Sequence, residues 1–140
     1  MKIEKINSFL ARDQFIVEII TDKGISGIGQ SACWAYPEAV KSIVDRFDNI
    51  LIGKDPFMIE EINQLLMRTG PFRGSVLSGA ISSIDIALWD IKAKFFETPI
   101  WTLLGGKVRD RIRLHLLLGI VYGNSKSKNE GLYESAKKAV

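Results

Sequence analysis

Ala80-Ile-Ser-Ser-Ile-Asp85-Ile-Ala-Leu-Trp-Asp90-Ile-Lys-Ala-Lys94, then four residues, then Pro99-Ile-Trp-Thr-Leu-Leu-Gly105, is the stretch around which the chain is organised. Leu77, Ala80, Ile81, Ile84, Leu88, Ile91 and Phe95 recur at helical spacing over about five turns, which predicts one long helix with an apolar stripe. Ser78, Gly79, Ser82 and Ser83 are small, so another backbone can approach closely on that side. Asp85 and Asp90 are separated by about 500° of helical rotation and point away from each other. Asp90 stands four residues before Lys94, the spacing of an ordinary helical ion pair on a solvated face. Thr98-Pro99 reads as the cap and start of a short fourth helix, closed by Gly105-Gly106.

Upstream, the pattern is first strand-like and then helical. Phe15, Val17 and Ile19 fall on one face of a strand and Ile16, Glu18 and Ile20 on the other. Asp22-Lys23-Gly24 supplies a tight turn, and the stretch from Ile25 to Gln30 returns as the partner, thinned by Gly27 and Gly29. The stretch from Lys2 to Leu10 reads as a third strand. Pro37 suits a first helical residue, followed by an apolar stripe of Val40, Ile43, Val44, Phe47 and Leu51. Asp55-Pro56 reads as the next helix start, with Ile59, Ile62 and Leu66 on its buried face and Gly70-Pro71 ending it. Three strands followed by four helices make an α+β domain ending near Gly106.

Beyond Gly106 the character changes. Lys107 to Arg113 is a charged connector, and Arg113 to Val121 is almost continuously apolar apart from His115, as in a strand buried on both faces. A polar loop to Gly131 and a helical start from Leu132 complete one β/α unit. The expected organisation is therefore residues 1–106 as one domain and 107–140 as a connector and the first unit of a truncated barrel. A complete barrel of this kind takes about 250 residues.

Composition narrows the function classes. The 140 residues are 46% hydrophobic and 25% charged, a globular balance. A net charge of +3 does not by itself suggest a nucleic-acid partner. The basic string Lys107, Arg109, Arg111 and Arg113 lacks interleaved aromatics and is broken by Asp110, so it reads as a solvated connector. No stretch approaches transmembrane length and the N-terminus is not a signal peptide, so no membrane partner is expected. Cys33 is the single cysteine, which excludes an internal disulfide and makes a cytoplasmic location the default.

The stretch from Ala80 to Gly105 resembles the signature of the mandelate racemase and muconate lactonizing enzyme family, within the enolase superfamily. Gly53-Lys-Asp-Pro56, Pro71-Phe-Arg-Gly74 and Leu103-Leu-Gly-Gly-Lys-Val-Arg-Asp110 look most like its acid-sugar (galactonate or gluconate) dehydratase branch. The resemblance implies an enolase-N-terminal-like capping domain: a three-stranded antiparallel meander, a helical bundle, then the start of a TIM-type barrel. It implies a Mg2+ ion held by three carboxylates on barrel strands and acid/base residues on further strands. All those positions lie beyond Val140, so no catalytic and no metal-ligating residue is assigned to this chain. The parent reaction would be β-elimination of water from a carboxylate-bearing sugar acid. A racemase or cycloisomerase parent stays open, as does a non-catalytic fragment or truncated product awaiting the missing barrel domain. A homo-oligomer is expected from the same resemblance.

In such enzymes two loops of the capping domain close over the barrel and select the substrate. The segment from Ser31 to Tyr36 is the first candidate, with Trp34 and Tyr36 suited to a wall that excludes water and offers a polar tip to a polyol. The alternative for Trp34 is packing on the first helix as a staple. The second candidate is the segment from Gly70 to Gly74, where Arg73 can pair with a carboxylate; the alternative is a solvated arginine. Asp85 reads as a structural hydrogen-bonding residue of the signature, and His115 as a packed strand residue.

Overall fold

The computed structural model describes residues 1–31, 36–71 and 74–113. Two compact units divide the chain, Met1–Gly106 and Lys107–Val140. In the second unit the described residues 107–113 are exposed, with Lys107 and Asp110 paired at 2.7 Å. The expected barrel strand with His115 and the helix after Leu132 lie outside the described residues.

The first unit is an α+β fold. Strands β1 (Ile3–Ala11), β2 (Gln14–Thr21) and β3 (Ser26–Ser31) form an antiparallel sheet in that order. Alternation in β2 works as its sequence suggests: Phe15, Val17 and Ile19 are fully buried, while Ile16, Glu18 and Ile20 are partly exposed on the other face. The turn into β3 places Gly24 at φ +73°, where a side chain is disfavoured, and the Thr21 carbonyl accepts the Gly24 N–H at 2.9 Å. The turn from β1 to β2 uses no glycine. Ala11 pairs with Gln14, so Arg12 and Asp13 form the loop, with Arg12 at φ 54°.

The helices cover one face of the sheet. Helix α1 (Pro37–Leu51) buries Pro37, Val40, Val44, Phe47 and Leu51, the stripe expected with Ile43 at its half-buried margin. Leaving it, the chain runs beside β1: the Ile3 N–H donates to the Lys54 carbonyl at 2.9 Å and the Gly53 N–H to the Ile3 carbonyl at 2.8 Å. Helix α2 (Ile59–Met67) starts later than Asp55-Pro56 predicts. The Asp55 carboxylate accepts the Phe57 N–H at 2.9 Å and closes a separate turn ahead of the helix. The buried face of α2 is Ile59, Ile62 and Leu66, as expected.

Helix α3 (Ser75–Phe95) carries the signature. Its stripe is buried from Ala80 to Ile91, but Leu77 is half-buried and Phe95 is 46% exposed, resting edge-on against Phe57 and Phe96. Helix α4 (Ile100–Leu103) begins one residue past Pro99, which stands at its N-cap position, and buries no side chain.

The close approach anticipated on α3 occurs at Ser83 and Ala87, whereas Ser78 and Ser82 are exposed. Strand β3 lies so near that a methyl group on Gly29 would overlap the Ser83 carbonyl, and one on Gly27 the Ala87 carbonyl. Backbone atoms cannot yield as a flexible side chain can. Gly29→Ala should therefore cost about 3 kcal/mol or more in urea unfolding. Gly70→Ala, where an added methyl meets nothing within 4 Å, should stay within about 0.5 kcal/mol.

Candidate functional site

Strand β3 and helix α1 frame the first candidate segment. Strand β3 ends at Ser31, which is buried, and α1 begins at Pro37, also buried. Between these anchors Tyr36 occupies the N-cap position of α1 with φ −136° and ψ 42°. Its carbonyl accepts the Val40 N–H at 3.2 Å, so its backbone is tied into the first turn. Its side chain makes no capping bond and is 59% exposed. Tyr36 thus presents its phenol side chain to the outside from a backbone tied into the first turn of α1. Trp34, Cys33 and Arg73 lie outside the described residues. Gly74, beside Arg73, is extended and caps α3 through its carbonyl, which accepts the Ser78 N–H at 3.0 Å.

The remaining sequence candidates resolve differently. The Asp90–Lys94 pair exists, at 2.8 Å, but it is more than a pair on a solvated face. Asp90 Oδ2 also accepts the backbone N–H of Ile28 at 2.9 Å, and Lys94 Nζ donates to the Ser26 carbonyl at 2.8 Å. The two side chains therefore reach across to the outer edge of β3. Sequence reasoning missed this contact because spacing within one helix says nothing about which strand lies beside it.

Asp85, expected to be hydrogen-bonded, makes no hydrogen bond among the described residues. It borders a groove between α2 and α3 lined by Ile59, Ile62, Leu66, Ile81 and Leu88. Desolvation, and then the nearby Glu60 carboxylate, raise its pKa above 3.8. Asp48 on α1 is raised too, mainly by desolvation and then by Asp45, against the lowering effect of Lys41; its Oδ1 is buried without a hydrogen bond. Among the described residues no three His, Cys, Asp or Glu side chains come together to hold a metal ion, so no metal-dependent step is derived from them. None of the described helices is long and apolar enough to cross a membrane.

Apolar surface concentrates elsewhere. Trp101 and Leu104 on α4 are 48% and 62% exposed. Phe57, Phe95 and Phe96 cluster with ring centroids 5.0–5.9 Å apart. Apolar area of this kind is what a further domain or chain would cover.

An antiparallel three-stranded sheet packed against a long signature helix is the architecture of an enolase-superfamily N-terminal capping domain. The model of the mandelate racemase / muconate lactonizing enzyme N-terminal domain matches residues 6–105, and the chain belongs to that family. It is 39% identical over 121 residues to the D-galactonate dehydratase of Variovorax paradoxus, covering 85% of this chain and 32% of that protein. Among solved structures, an enolase from Pantoea ananatis with d-gluconate and Mg bound is 39% identical with a TM-score of 0.70, covering 78% of this chain and 28% of that one. The 3,6-anhydro-D-galactonate cycloisomerase of Zobellia galactanivorans is 36% identical with a TM-score of 0.71, covering 76% and 32%. The chain thus spans about a third of the length of these relatives.

The raised pKa of Asp85 has a consequence for stability. Between its ordinary value and its raised value the folded chain binds more proton than the unfolded one, so stability falls as pH rises through that window. Asp85→Asn should raise the melting temperature at neutral pH, and the advantage should vanish below the ordinary carboxylate value of about 4. Thermal melts of both proteins across pH 3–8 check this.

Proposed function

We propose that this chain is the capping, substrate-selecting domain of a magnesium-dependent sugar-acid dehydratase. The observation that carries the reading is the 39% identity with D-galactonate dehydratase over 85% of the chain. The Pantoea relative with d-gluconate and Mg bound supports a sugar-acid substrate and a magnesium cofactor for the parent. In this reading residues 107–140 are the connector and the first unit of a barrel whose remainder supplies the metal ligands and the acid/base groups. The reaction breaks the C–H bond beside the carboxylate and the C–OH bond at the next carbon, releasing water and leaving an enol that tautomerises to a 2-oxo acid.

The cap's share is to exclude water and choose among polyols. Tyr36 offers a hydroxyl that donates to or accepts from a substrate hydroxyl. Trp34 supplies apolar cover and Arg73 a planar cation for the carboxylate. The exposed apolar residues of α4 lie next in sequence to the connector. The location is cytoplasmic and the assembly a homo-oligomer in the same reading. A second reading, supported by the cycloisomerase relative, keeps this cap and changes the reaction to ring rearrangement.

Two experiments separate these readings. The complete protein, supplied with magnesium, should convert D-galactonate or D-gluconate to a 2-oxo product detectable with semicarbazide. Turnover of an anhydro-sugar acid alone would favour the second reading. In that enzyme Arg73→Ala should lower kcat/KM by the equivalent of about 1–3 kcal/mol. Unchanged kinetics on sugar acids would remove Arg73 from the site.

A further inference from the structure

Strand β3 is an edge strand: β2 pairs with one side of it, and a row of backbone groups faces the other way. By antiparallel parity Ser26 and Ile28 face outward while Gly27, Gly29 and Ser31 face β2. Among the described residues the outward contacts of this edge come from α3: Asp90 Oδ2 accepts the Ile28 N–H at 2.9 Å and Lys94 Nζ donates to the Ser26 carbonyl at 2.8 Å. The 2.8 Å contact between the two side chains closes the arrangement into a clamp. The close backbone approach at Gly27 and Gly29 sets how near the helix stands, and pairing with β2 holds one side of the strand. A directional pair of charged hydrogen bonds to two successive outward residues ties its other side to α3. Three residues beyond Ile28 the strand ends at Ser31, and Tyr36 follows at the start of α1.

We propose that Asp90 and Lys94 are positioning residues for substrate selection: they lock the register of β3 against α3 and so fix where the chain leaves the sheet on its way to Tyr36. This inference rests on reading the rim at Tyr36 as substrate-facing. It gives the Asp-x-x-x-Lys spacing in the signature a task distinct from helix stability. Neither side chain touches substrate; both act through the strand.

Hydrogen exchange on the 140-residue chain tests the mechanical half. Asp90→Ala should speed exchange of the Ile28, Gly29 and Ser31 amides by about tenfold or more, while Asn7 and Phe9 on β1, paired with Glu18 and Ile16 of β2, keep wild-type rates. Asp90→Asn retains an acceptor for Ile28 and should restore most of the protection. Wild-type exchange at Ser31 in Asp90→Ala overturns the proposal. If Asp90→Ala does not fold, Lys94→Met, which leaves the Asp90–Ile28 bond in place, is read in the same way at Gly29 and Ser31.

Steady-state kinetics of the complete enzyme test the selective half. Asp90→Ala should narrow the ratio of kcat/KM between D-galactonate and D-gluconate, acting mainly through KM, and Asp90→Asn should recover it. A ratio unchanged while Ser31 exchanges faster also overturns the positioning role. An enzyme with no turnover of any sugar acid removes the substrate reading and the selective role together; the exchange rates still decide separately whether the clamp holds β3.

Discussion

The backbone contact between α3 and β3 is the constraint on which the domain depends. Two glycines on alternate residues of a strand lie against two carbonyls one turn apart on a helix, with the Ile91 side chain also close at Gly27. That closeness lets the helix serve β3 from its open side, Asp90 and Lys94 bonding to groups a further strand would otherwise meet. It also brings the helix near enough to β2 for Phe15, Val17 and Ile19 to be sealed against α1 and α3. The loop at Gly53 and Lys54 performs a comparable service at Ile3, bonding to both of its backbone groups.

Much of this was legible in the chain. Alternation in β2 and the stripes of α1, α2 and α3 are direct records of which face is buried, because burial acts on each residue at a fixed angular spacing. Gly24 marks a turn because its backbone conformation excludes most other residues. Three features resisted. Arg12 makes a left-handed turn without glycine or asparagine, so the β1–β2 hairpin carries no local signal. Asp55-Pro56 has the residues of a helix start, but its carboxylate serves a turn that ends before the helix begins. Asp90 and Lys94 are spaced for a helical pair, and their second role depends on a strand about sixty residues earlier in the chain.

The candidate site was legible only in its residue types. Tyr36 stands in a non-periodic stretch between a strand and a helix, and its side chain is exposed. Nothing in the local sequence distinguishes Asp85, held beside an apolar groove and a like charge, from an aspartate that is fully hydrogen-bonded. Its raised pKa comes from α2 packing alongside, a tertiary effect that no helical period encodes.

The glycine contact fixes one part of the domain by packing, while Tyr36 stands outside that contact with its side chain exposed. Because β3 meets α3 through backbone, the stem at Gly29 leaves no room for a side chain, yet this contact makes no demand on the identity of Tyr36. A substitution at Tyr36 leaves the fit of strand to helix untouched, so that position can be rewritten without reopening the core.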